Sequence, residues 1–259
     1  MGITISFGIQ KGGVGKTTTT AICAYLLARK SKVLAVDFDS QGNLTAFLTQ
    51  RNIYDFEGHT VLQAMMERNP TPYIQTVADN LDVLPAEDLL ATFARYTYTQ
   101  QKGDPNVILC DTLRVVKDDY DYILIDLPPN LGEQTINGLT ASDYAVVMLQ
   151  TEPFCFDALD RYIELLQHIQ ERTNPNLRLS GILATMMDSR TTLDSAIIEQ
   201  AIKDYEDVVF KSVIRRRARI KEFSIQGLQS KTRADNSALR PYQDFVKELK
   251  ERVKESATR

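Results

Sequence analysis

The fold of this chain is decided by Lys11-Gly12-Gly13-Val14-Gly15-Lys16-Thr17-Thr18. This stretch follows a short apolar run at 3–9 and leads into a helical pattern at 17–30. A strand, a glycine-rich loop, Lys-Thr and a helix hold the phosphates of a nucleoside triphosphate, because the glycines let backbone N–H groups converge on phosphate oxygens. The positive N-terminal end of the helix adds to this attraction. The pattern predicts that Lys16 contacts the β- and γ-phosphates and that the Thr17 hydroxyl ligates Mg²⁺.

One position departs from the general phosphate-loop pattern. That pattern has a second glycine five residues before Gly15, where this chain has Gln10. The next residue, Lys11, adds a lysine that the general pattern does not require. A second cation beside the phosphates narrows the class of nucleotide-binding protein to which the chain can belong.

The composition is ordinary for a soluble globular protein: of 259 residues, 43% are hydrophobic and 25% are charged. The formal net charge of -4 gives no indication of nucleic-acid binding by the molecule as a whole. The three cysteines and two histidines lack metal-ligand spacing, which argues against a zinc site or a catalytic histidine. No apolar run approaches the roughly 20 residues that a membrane-spanning helix needs.

Apolar runs of strand length alternate with helical stretches along the chain. Several runs are continuously apolar, which is typical of strands covered on both faces. The alternation predicts a doubly wound α/β fold, with a mostly parallel sheet flanked by helices, and no linker divides the expected single domain over 1–259. The predicted strands are 3–9, 32–37, 81–84, 121–127, 143–149, 179–185 and 208–214, and the predicted helices are 17–30, 86–95, 156–172, 192–204 and 239–255.

Aspartates stand at the ends of two of these strands. Strand 32–37 ends on Asp37 with Asp39 close behind, and strand 121–127 carries Asp126 after four apolar or aromatic residues. In a doubly wound sheet, ligands bind at the carboxyl ends of the strands. An acid in this position, on a strand near the phosphate loop, is the Walker B arrangement that holds Mg²⁺. An isolated aspartate after a strand also commonly begins a turn, but three correctly ordered elements favour the magnesium site.

Further motifs give the chain a resemblance to a known family. It resembles the ParA/Soj/MinD group, the deviant-Walker ATPases among the P-loop NTPases, and is most similar to the short ParA type that partitions DNA. The resemblance runs through nearly the whole chain. Besides the phosphate loop, it is carried by Asp37-Phe38-Asp39-Ser40-Gln41-Gly42-Asn43-Leu44-Thr45, Asp121-Tyr122-Ile123-Leu124-Ile125-Asp126-Leu127-Pro128-Pro129, Gln134-Thr135-Ile136-Asn137-Gly138-Leu139 and Thr185-Met186-Met187-Asp188-Ser189-Arg190-Thr191.

The resemblance implies a role for each matching residue. Lys11 matches the signature lysine that crosses the interface of an ATP-sandwich dimer to the partner's nucleotide, where a second cation stabilises charge during phosphoryl transfer. Asp39 matches the aspartate that orients the attacking water. Asp188 matches a position near the adenine, although an aspartate there equally suits a helix N-cap. The implied catalytic residues are Lys11, Lys16 and Asp39; the ATP-binding residues are Lys11, Gly12, Gly13, Val14, Gly15, Lys16, Thr17, Thr18 and Asp188; the magnesium residues are Thr17, Asp37 and Asp126.

Two segments depart from the family's pattern. After the second aspartate of the 37–39 motif the family usually has proline, and this chain has Ser40, which we expect to loosen a turn. The family usually reads Ile-Pro-Arg-Asn-Val-Arg where this chain has Ile214-Arg215-Arg216-Arg217-Ala218-Arg219. The second change removes a proline near the nucleotide base, so the adenine contacts there remain open.

The same change concentrates positive charge. Residues 211–221 contain six cations and no acid, within a chain that is acidic overall. Lysine and arginine contacts to phosphates suffice for binding DNA without sequence preference, whereas the alternative is a solvated charged face. Arg190 and Arg219 match positions that family members use for such contacts. The DNA-binding residues predicted in this way are Arg190, Arg215, Arg216, Arg217, Arg219 and Lys221.

The resemblance implies an ATPase that segregates plasmid or chromosome DNA, cytoplasmic and associated with the nucleoid. ATP is expected to close a homodimer that binds nonspecific double-stranded DNA, and a ParB-type centromere-binding partner is expected to stimulate slow hydrolysis. The alternatives are a MinD-like membrane-associated positioning ATPase, a metallocluster carrier resembling the nitrogenase iron protein, and a nucleotide-gated scaffold with negligible hydrolysis. The amphipathic tail at 242–253 mixes both charge signs, which favours a helix packed on the domain over a membrane helix.

Overall fold

The computed structural model describes residues 2–99, 103–152, 155–187 and 192–257. Within these ranges, eight strands form one sheet. Most of its strands are short apolar runs whose side chains are buried on both faces. The strands are β1 (Ile3–Gly8), β2 (Val33–Asp37), β3 (Gln75–Ala78), β4 (Leu81–Leu84), β5 (Tyr122–Asp126), β6 (Tyr144–Gln150), β7 (Arg178–Met187) and β8 (Val209–Arg215).

The sheet has the spatial order β3-β4-β2-β5-β1-β6-β7-β8. Neighbouring strands are parallel except β3, which pairs antiparallel with β4 at one edge. The chain moves away from β1 in one direction towards β2 and in the other towards β6, so the order reverses next to β1. Ligand sites in doubly wound sheets lie at such a switch point, and here the residues after β1 form the glycine-rich loop.

Helices cover the sheet. They are α1 (Lys16–Leu27), α2 (Asn43–Thr49), α3 (Val61–Glu67), α4 (Phe93–Thr99), α5 (Ile108–Arg114), α6 (Glu133–Thr140), α7 (Cys155–Arg172), α8 (Thr192–Tyr205), α9 (Ala218–Gln226) and α10 (Arg233–Ala257). Because crossovers between parallel strands are right-handed, α1 lies on one face and α6, α7 and α8 lie on the other. The long helix α10 packs on α1 and on the edge strand β8. The expected doubly wound architecture is confirmed.

The differences from the predicted elements lie mainly in short segments. The edge strand β3 and helices α2, α3, α5, α6 and α9 were not predicted, because elements of four to nine residues show too little periodicity to stand out. The helix predicted at 86–95 is instead a 3₁₀ turn, Asp88–Thr92, followed by α4. The last helix begins at Arg233 rather than 239 and continues through Pro241. Thr232 caps the N-terminus of this helix: its hydroxyl accepts from the Asp235 N–H at 3.1 Å, and its N–H donates to the Asp235 carboxylate at 2.8 Å.

Candidate functional site

The glycine-rich loop has a backbone shape that requires glycine. Gly13 and Gly15 have φ angles of 75° and 83°, in the left-handed region that L side chains rarely adopt. Gly15 is also the N-cap residue of α1, directly before Lys16. A Cβ atom there would lie 2.7 Å from the Met186 side chain at the end of β7. The loop therefore curls tightly around the N-terminus of α1 and leaves its backbone N–H groups open to an anion.

Lys16 is buried inside this loop. Its ammonium donates a hydrogen bond to the Lys11 carbonyl oxygen at 2.9 Å, and the residue is only 6% exposed. Burial lowers the pKa of Lys16, while the nearby carboxylates of Asp126 and Asp39 raise it. The Lys16 ammonium is thus positioned at the base of the loop by contacts within the protein itself.

Asp126, at the end of β5, faces the start of α1. The Thr17 hydroxyl donates to its Oδ2 at 2.6 Å, while its Oδ1 is buried and has no hydrogen-bond partner. Burial raises the pKa of Asp126 to about 8, and the Asp37 carboxylate adds to this, whereas the Thr17 hydrogen bond and Lys16 lower it. A buried, unpartnered carboxylate oxygen beside a hydroxyl fits a hydrated divalent cation, which would neutralise the charge.

Asp37 and Asp39 follow each other at the end of β2 but differ in environment. Asp37 is fully buried, and both the N–H and the hydroxyl of Thr45 donate to its Oδ2 at 2.7 Å. Burial raises the pKa of Asp37 to about 6, and the Thr45 hydrogen bonds limit the rise. Asp39 is half-buried, and its Oδ1 caps the turn by accepting from the Gln41 N–H at 3.1 Å. The turn is closed around Ser40 by the Gly42 N–H, which donates to the Asp39 carbonyl at 3.0 Å.

The phosphate loop and these carboxylates line an open cleft of about 580 Å³. Gly12–Thr18, Asp39, Pro129 and Ser224 are among its walls. A second pocket of about 520 Å³ continues from it, because Gly13, Thr18, Met186 and Ser224 line both. Among the residues that the structure describes, its remaining lining is cationic and apolar, with no acid: Arg215, Arg216, Arg217, Ala218, Ile220, Lys221 and Tyr242. The two spaces together have a polar end suited to phosphates and a less polar end suited to a base.

Lys11 does not point into the loop. Its ammonium forms an ion pair with Glu152 Oε2 at 2.8 Å, and its side chain is 30% exposed. The other oxygen of Glu152 lies 3.9 Å from the Arg216 guanidinium and also accepts from the Gln150 side-chain amide. Glu152 therefore connects the loop lysine with the arginine-rich segment. Glu152 is not among the residues predicted from the sequence, since a lone glutamate after a strand carries no signal.

The predicted DNA-binding residues fall into two groups. Arg215, Arg216, Arg217 and Lys221 are exposed around the C-terminal end of β8 and the start of α9. Arg219 is different, because its guanidinium pairs with the buried Asp235 at 2.7 Å and with Glu222, and lies over the Phe223 ring. The predicted residues Asp188 and Arg190 lie outside the residues that the structure describes.

A family model described as an AAA domain matches residues 2–179. The sporulation initiation inhibitor protein Soj of Bacillus subtilis is 36% identical over 244 residues, which cover 88% of this chain and 89% of that protein. The chromosome-partitioning ATPase Soj of Treponema pallidum is 34% identical over 255 residues, covering 96% and 97%. This chain belongs to the Soj/ParA family of partitioning ATPases. The resemblance seen in the motifs is confirmed.

Solved structures share the fold of this Soj/ParA-family chain. A cobyrinic acid a,c-diamide synthase from Mycobacterium smegmatis, solved with ADP and magnesium, is 29% identical, with a TM-score of 0.81 over 95% of this chain and 93% of that one. Apo McdA from Cyanothece is 23% identical, with a TM-score of 0.86 over 96% and 99%, and shows the fold alone. Within the described part of this Soj/ParA-family chain, no helix combines the length and the apolar character needed to cross a membrane.

Proposed function

We propose that this Soj/ParA-family chain is a DNA-segregating ATPase whose nucleotide state controls a dimer. The observation that carries the proposal is the separation of the two loop lysines. Lys16 is buried at the base of the loop, whereas Lys11 is directed outward and partly exposed. One lysine thus serves the nucleotide of its own subunit, and the other is available to the nucleotide of a partner subunit, as an arginine finger is.

ATP and Mg²⁺ are the ligands that the site suits. The loop 12–18 and Lys16 would hold the phosphates, and the Thr17 hydroxyl and Asp126 would hold Mg²⁺, with Asp37 supporting its water shell. Among the described residues no group of three or more histidine, cysteine or carboxylate side chains stands ready to hold a metal ion. Mg²⁺ in such a site would take its remaining ligands from the phosphates and from water, which couples magnesium binding to nucleotide binding.

Hydrolysis needs a positioned water and a second cation. Asp39 lines the cleft beside the phosphate loop, at a place where its carboxylate can orient a water for attack on the γ-phosphorus. Lys11 of the partner would stabilise the charge that develops on the transferring group. Because both subunits must be in place, the isolated protomer is a slow ATPase. A ParB-type partner would accelerate the reaction by stabilising the completed arrangement.

DNA binding is assigned to the exposed cations around the end of β8. Arg215, Arg216, Arg217 and Lys221 also line the second pocket, which is suited to the nucleotide base. A bound nucleotide and the proposed DNA-binding residues would therefore contact the same segment of the chain. Dimerisation would also place two such clusters on one particle, and two weak phosphate-binding surfaces then act together. ATP therefore favours the state that binds nonspecific DNA, and hydrolysis releases it. In a cell such a protein would be cytoplasmic and associated with the nucleoid.

The test is DNA retardation with ATP, with ADP, and with the Lys16→Ala variant plus ATP. Wild type with ATP should retard a duplex of arbitrary sequence, and the other two samples should retard it far less. Turnover of ATP by wild type, compared with Asp39→Ala, reports hydrolysis in the same preparations. Equal retardation in all three DNA samples would contradict nucleotide control.

A further inference from the structure

Met186, at the end of β7, has a backbone conformation that is unusual for its side chain. Its φ angle is 58°, in the left-handed region that favours glycine and, to a lesser degree, asparagine. The structure describes five non-glycine residues with positive φ, and Met186 is the one among them that lies within a strand. Strain of this kind persists where the surrounding structure fixes the backbone, and it clusters at ligand sites.

The residues on either side of Met186 are fixed to two different parts of the site. The buried Thr185 hydroxyl donates to the Val14 carbonyl oxygen of the phosphate loop at 2.8 Å. The Met187 carbonyl oxygen accepts from the Arg216 N–H at 3.1 Å. The pairing of β7 with β8 is irregular just before Met187. Met186 is therefore held between the phosphate loop and the cationic segment, and these contacts maintain its left-handed backbone.

The Met186 side chain lies at the boundary between the cleft and the second pocket, because it lines both. Its terminal methyl group packs on Gly15, since a Cβ atom at Gly15 would be only 2.7 Å from it. Among the described residues of the second pocket, Ile220 and Tyr242 also supply apolar surface, but they are only 8% and 2% exposed. Met186 is half-buried, so its thioether is a large apolar group that a ligand can reach at this boundary.

We propose that Met186 is a positioning residue that seats the base of the bound nucleotide, and that its left-handed backbone holds the side chain in place for this. In an extended strand the side chain would point to a face of the sheet, whereas here it lies beside the loop that holds the phosphates. A thioether packs favourably on a flat aromatic ring, and as an uncharged group it suits the base rather than the phosphates. The inference rests on the proposed function and deepens it, because it assigns a base contact to a residue outside the predicted ATP-binding set.

Three variants separate the side chain of Met186 from the strain in its backbone. Met186→Ala and Met186→Gly both remove the thioether, but glycine adopts a left-handed φ freely and alanine does not. Met186→Leu keeps an apolar side chain on the strained backbone. Displacement of a fluorescent ATP analogue by MgATP, and separately by magnesium tripolyphosphate, gives the affinity for the ligand with and without its base. Scanning fluorimetry gives the thermal midpoint of each variant.

The loss of the thioether should affect the base and spare the phosphates. Met186→Ala and Met186→Gly should bind MgATP about three- to tenfold more weakly than wild type. Their affinity for tripolyphosphate should stay as in wild type, since the loop and Lys16 are unchanged, and Met186→Leu should retain most of the MgATP affinity. The midpoint of Met186→Gly should exceed that of Met186→Ala by about 2–4 °C, because only alanine is strained at this φ.

The matched control is the same pair of substitutions at Glu206, which is exposed and has a φ angle of 45°. Glu206 precedes the first residue of β8 and therefore lies at the opposite edge of the parallel sheet from the nucleotide site. Glu206→Gly should again have a higher midpoint than Glu206→Ala, and both should bind MgATP as wild type does.

Wild-type affinity for MgATP in Met186→Ala and Met186→Gly would overturn the inference and leave the proposed function standing. Equal losses of affinity for MgATP and for tripolyphosphate would also overturn it, because Met186 would then only support the loop. A midpoint of Met186→Gly no higher than that of Met186→Ala would contradict the role of the strained backbone. If wild type failed to bind MgATP at all, the proposed function itself would fail, so the two failures are distinguishable.

Discussion

At the scale of single residues, the ion pair between Lys11 and Glu152 sets the starting state of the proposed switch. A lysine that reaches a partner's nucleotide must first leave Glu152. Both side chains are partly exposed, at 30% and 45%, so the pair contributes no more than about 1 kcal/mol. The ion pair is therefore weak enough for Lys11 to exchange Glu152 for the phosphates of a partner subunit's nucleotide. Until then it holds Lys11 near the protomer surface.

Replacing Glu152 should make this exchange easier. In Glu152→Gln the amide no longer attracts the Lys11 ammonium, so we expect ATP-dependent dimers at up to about fivefold lower protein concentration, the equivalent of about 1 kcal/mol. Sedimentation velocity over a range of concentrations measures the effect. Glu164→Gln, on the exposed side of α7, is the matched control and should behave as wild type. A dimer that needs more protein than wild type would contradict this view of Glu152.

Comparing alanine substitutions at Gly15 and Gly58 distinguishes an effect on the backbone of the phosphate loop from an effect on overall stability. Both Gly15 and Gly58 have left-handed φ angles, 83° and 73°, but only Gly15 lies in the loop. Alanine at either position should cost about 1 to 3 kcal/mol of folding free energy. Only Gly15→Ala should also lose ATP binding, because the strained loop no longer directs its N–H groups at the phosphates. Chemical denaturation and nucleotide titration distinguish the two effects; retained ATP binding in Gly15→Ala would contradict the assignment of the loop.

At the scale of elements, Arg219 joins α9 to the start of α10. Its guanidinium contacts the carboxylate of Asp235, which is buried and also accepts hydrogen bonds from the N–H groups of Lys231 and Thr232. The Asp235 carboxylate thus bonds to the backbone of the loop that precedes α10, in the first turn of α10, and to Arg219 of α9. The positive charge of Arg219 therefore supports the structure of the proposed DNA-binding segment.

Neighbouring arginines should consequently respond differently to removal. Arg219→Ala leaves the Asp235 carboxylate without its cation, so we expect the thermal midpoint to fall by several degrees. Arg217 is exposed and, within the described part of the chain, its side chain bonds only to Ser237, so Arg217→Ala should leave the midpoint nearly unchanged and weaken DNA binding. Differential scanning fluorimetry and DNA anisotropy on both variants test this. Equal midpoints would show that the pair with Asp235 does not hold α9.

Helix α10 also bears on the membrane-associated alternative. Its apolar side chains, including Leu239, Phe245, Leu249 and Val253, are buried against the rest of the fold, and Phe245 packs on both Phe7 and Phe210. A membrane helix of the MinD kind presents such a face to lipid. For α10 to do so, it would have to leave the core, which would expose these side chains to water.

At the scale of the whole molecule, the nucleotide should act as a stabilising ligand. Free ATP with Mg²⁺ at about 100 times its dissociation constant adds about 2.7 kcal/mol to the unfolding free energy. For 259 residues the unfolding entropy is about 0.5 kcal/mol/K, so the midpoint should rise by about 5 °C. Scanning calorimetry measures this shift. Chelating Mg²⁺ should remove much of it and Lys16→Ala nearly all, whereas an undiminished shift in Lys16→Ala would place the nucleotide elsewhere.

The features that could be predicted from the sequence are those whose pattern is contained within a few consecutive residues. The phosphate loop, the carboxylates at 37, 39 and 126, and most of the strands could be recognised because their patterns are local. The short elements β3, α2 and α6 could not, since they hold their shape through contacts with distant parts of the chain. Glu152 and Asp235 carried no signal for the same reason: each matters through a partner that is far away in sequence, Lys11 in one case and Arg219 in the other.

The sequence by itself therefore determined the nucleotide loop, the doubly wound fold and the presence of a basic segment, because glycine spacing, apolar runs and charge composition act over a few residues. Only the tertiary structure decided which cations are free and which are paired. In the folded protein Arg219 is turned inward to a buried carboxylate, and Lys11 is held against Glu152. The reason is that ion pairing depends on distances in space, and these are fixed when the sheet brings remote segments together.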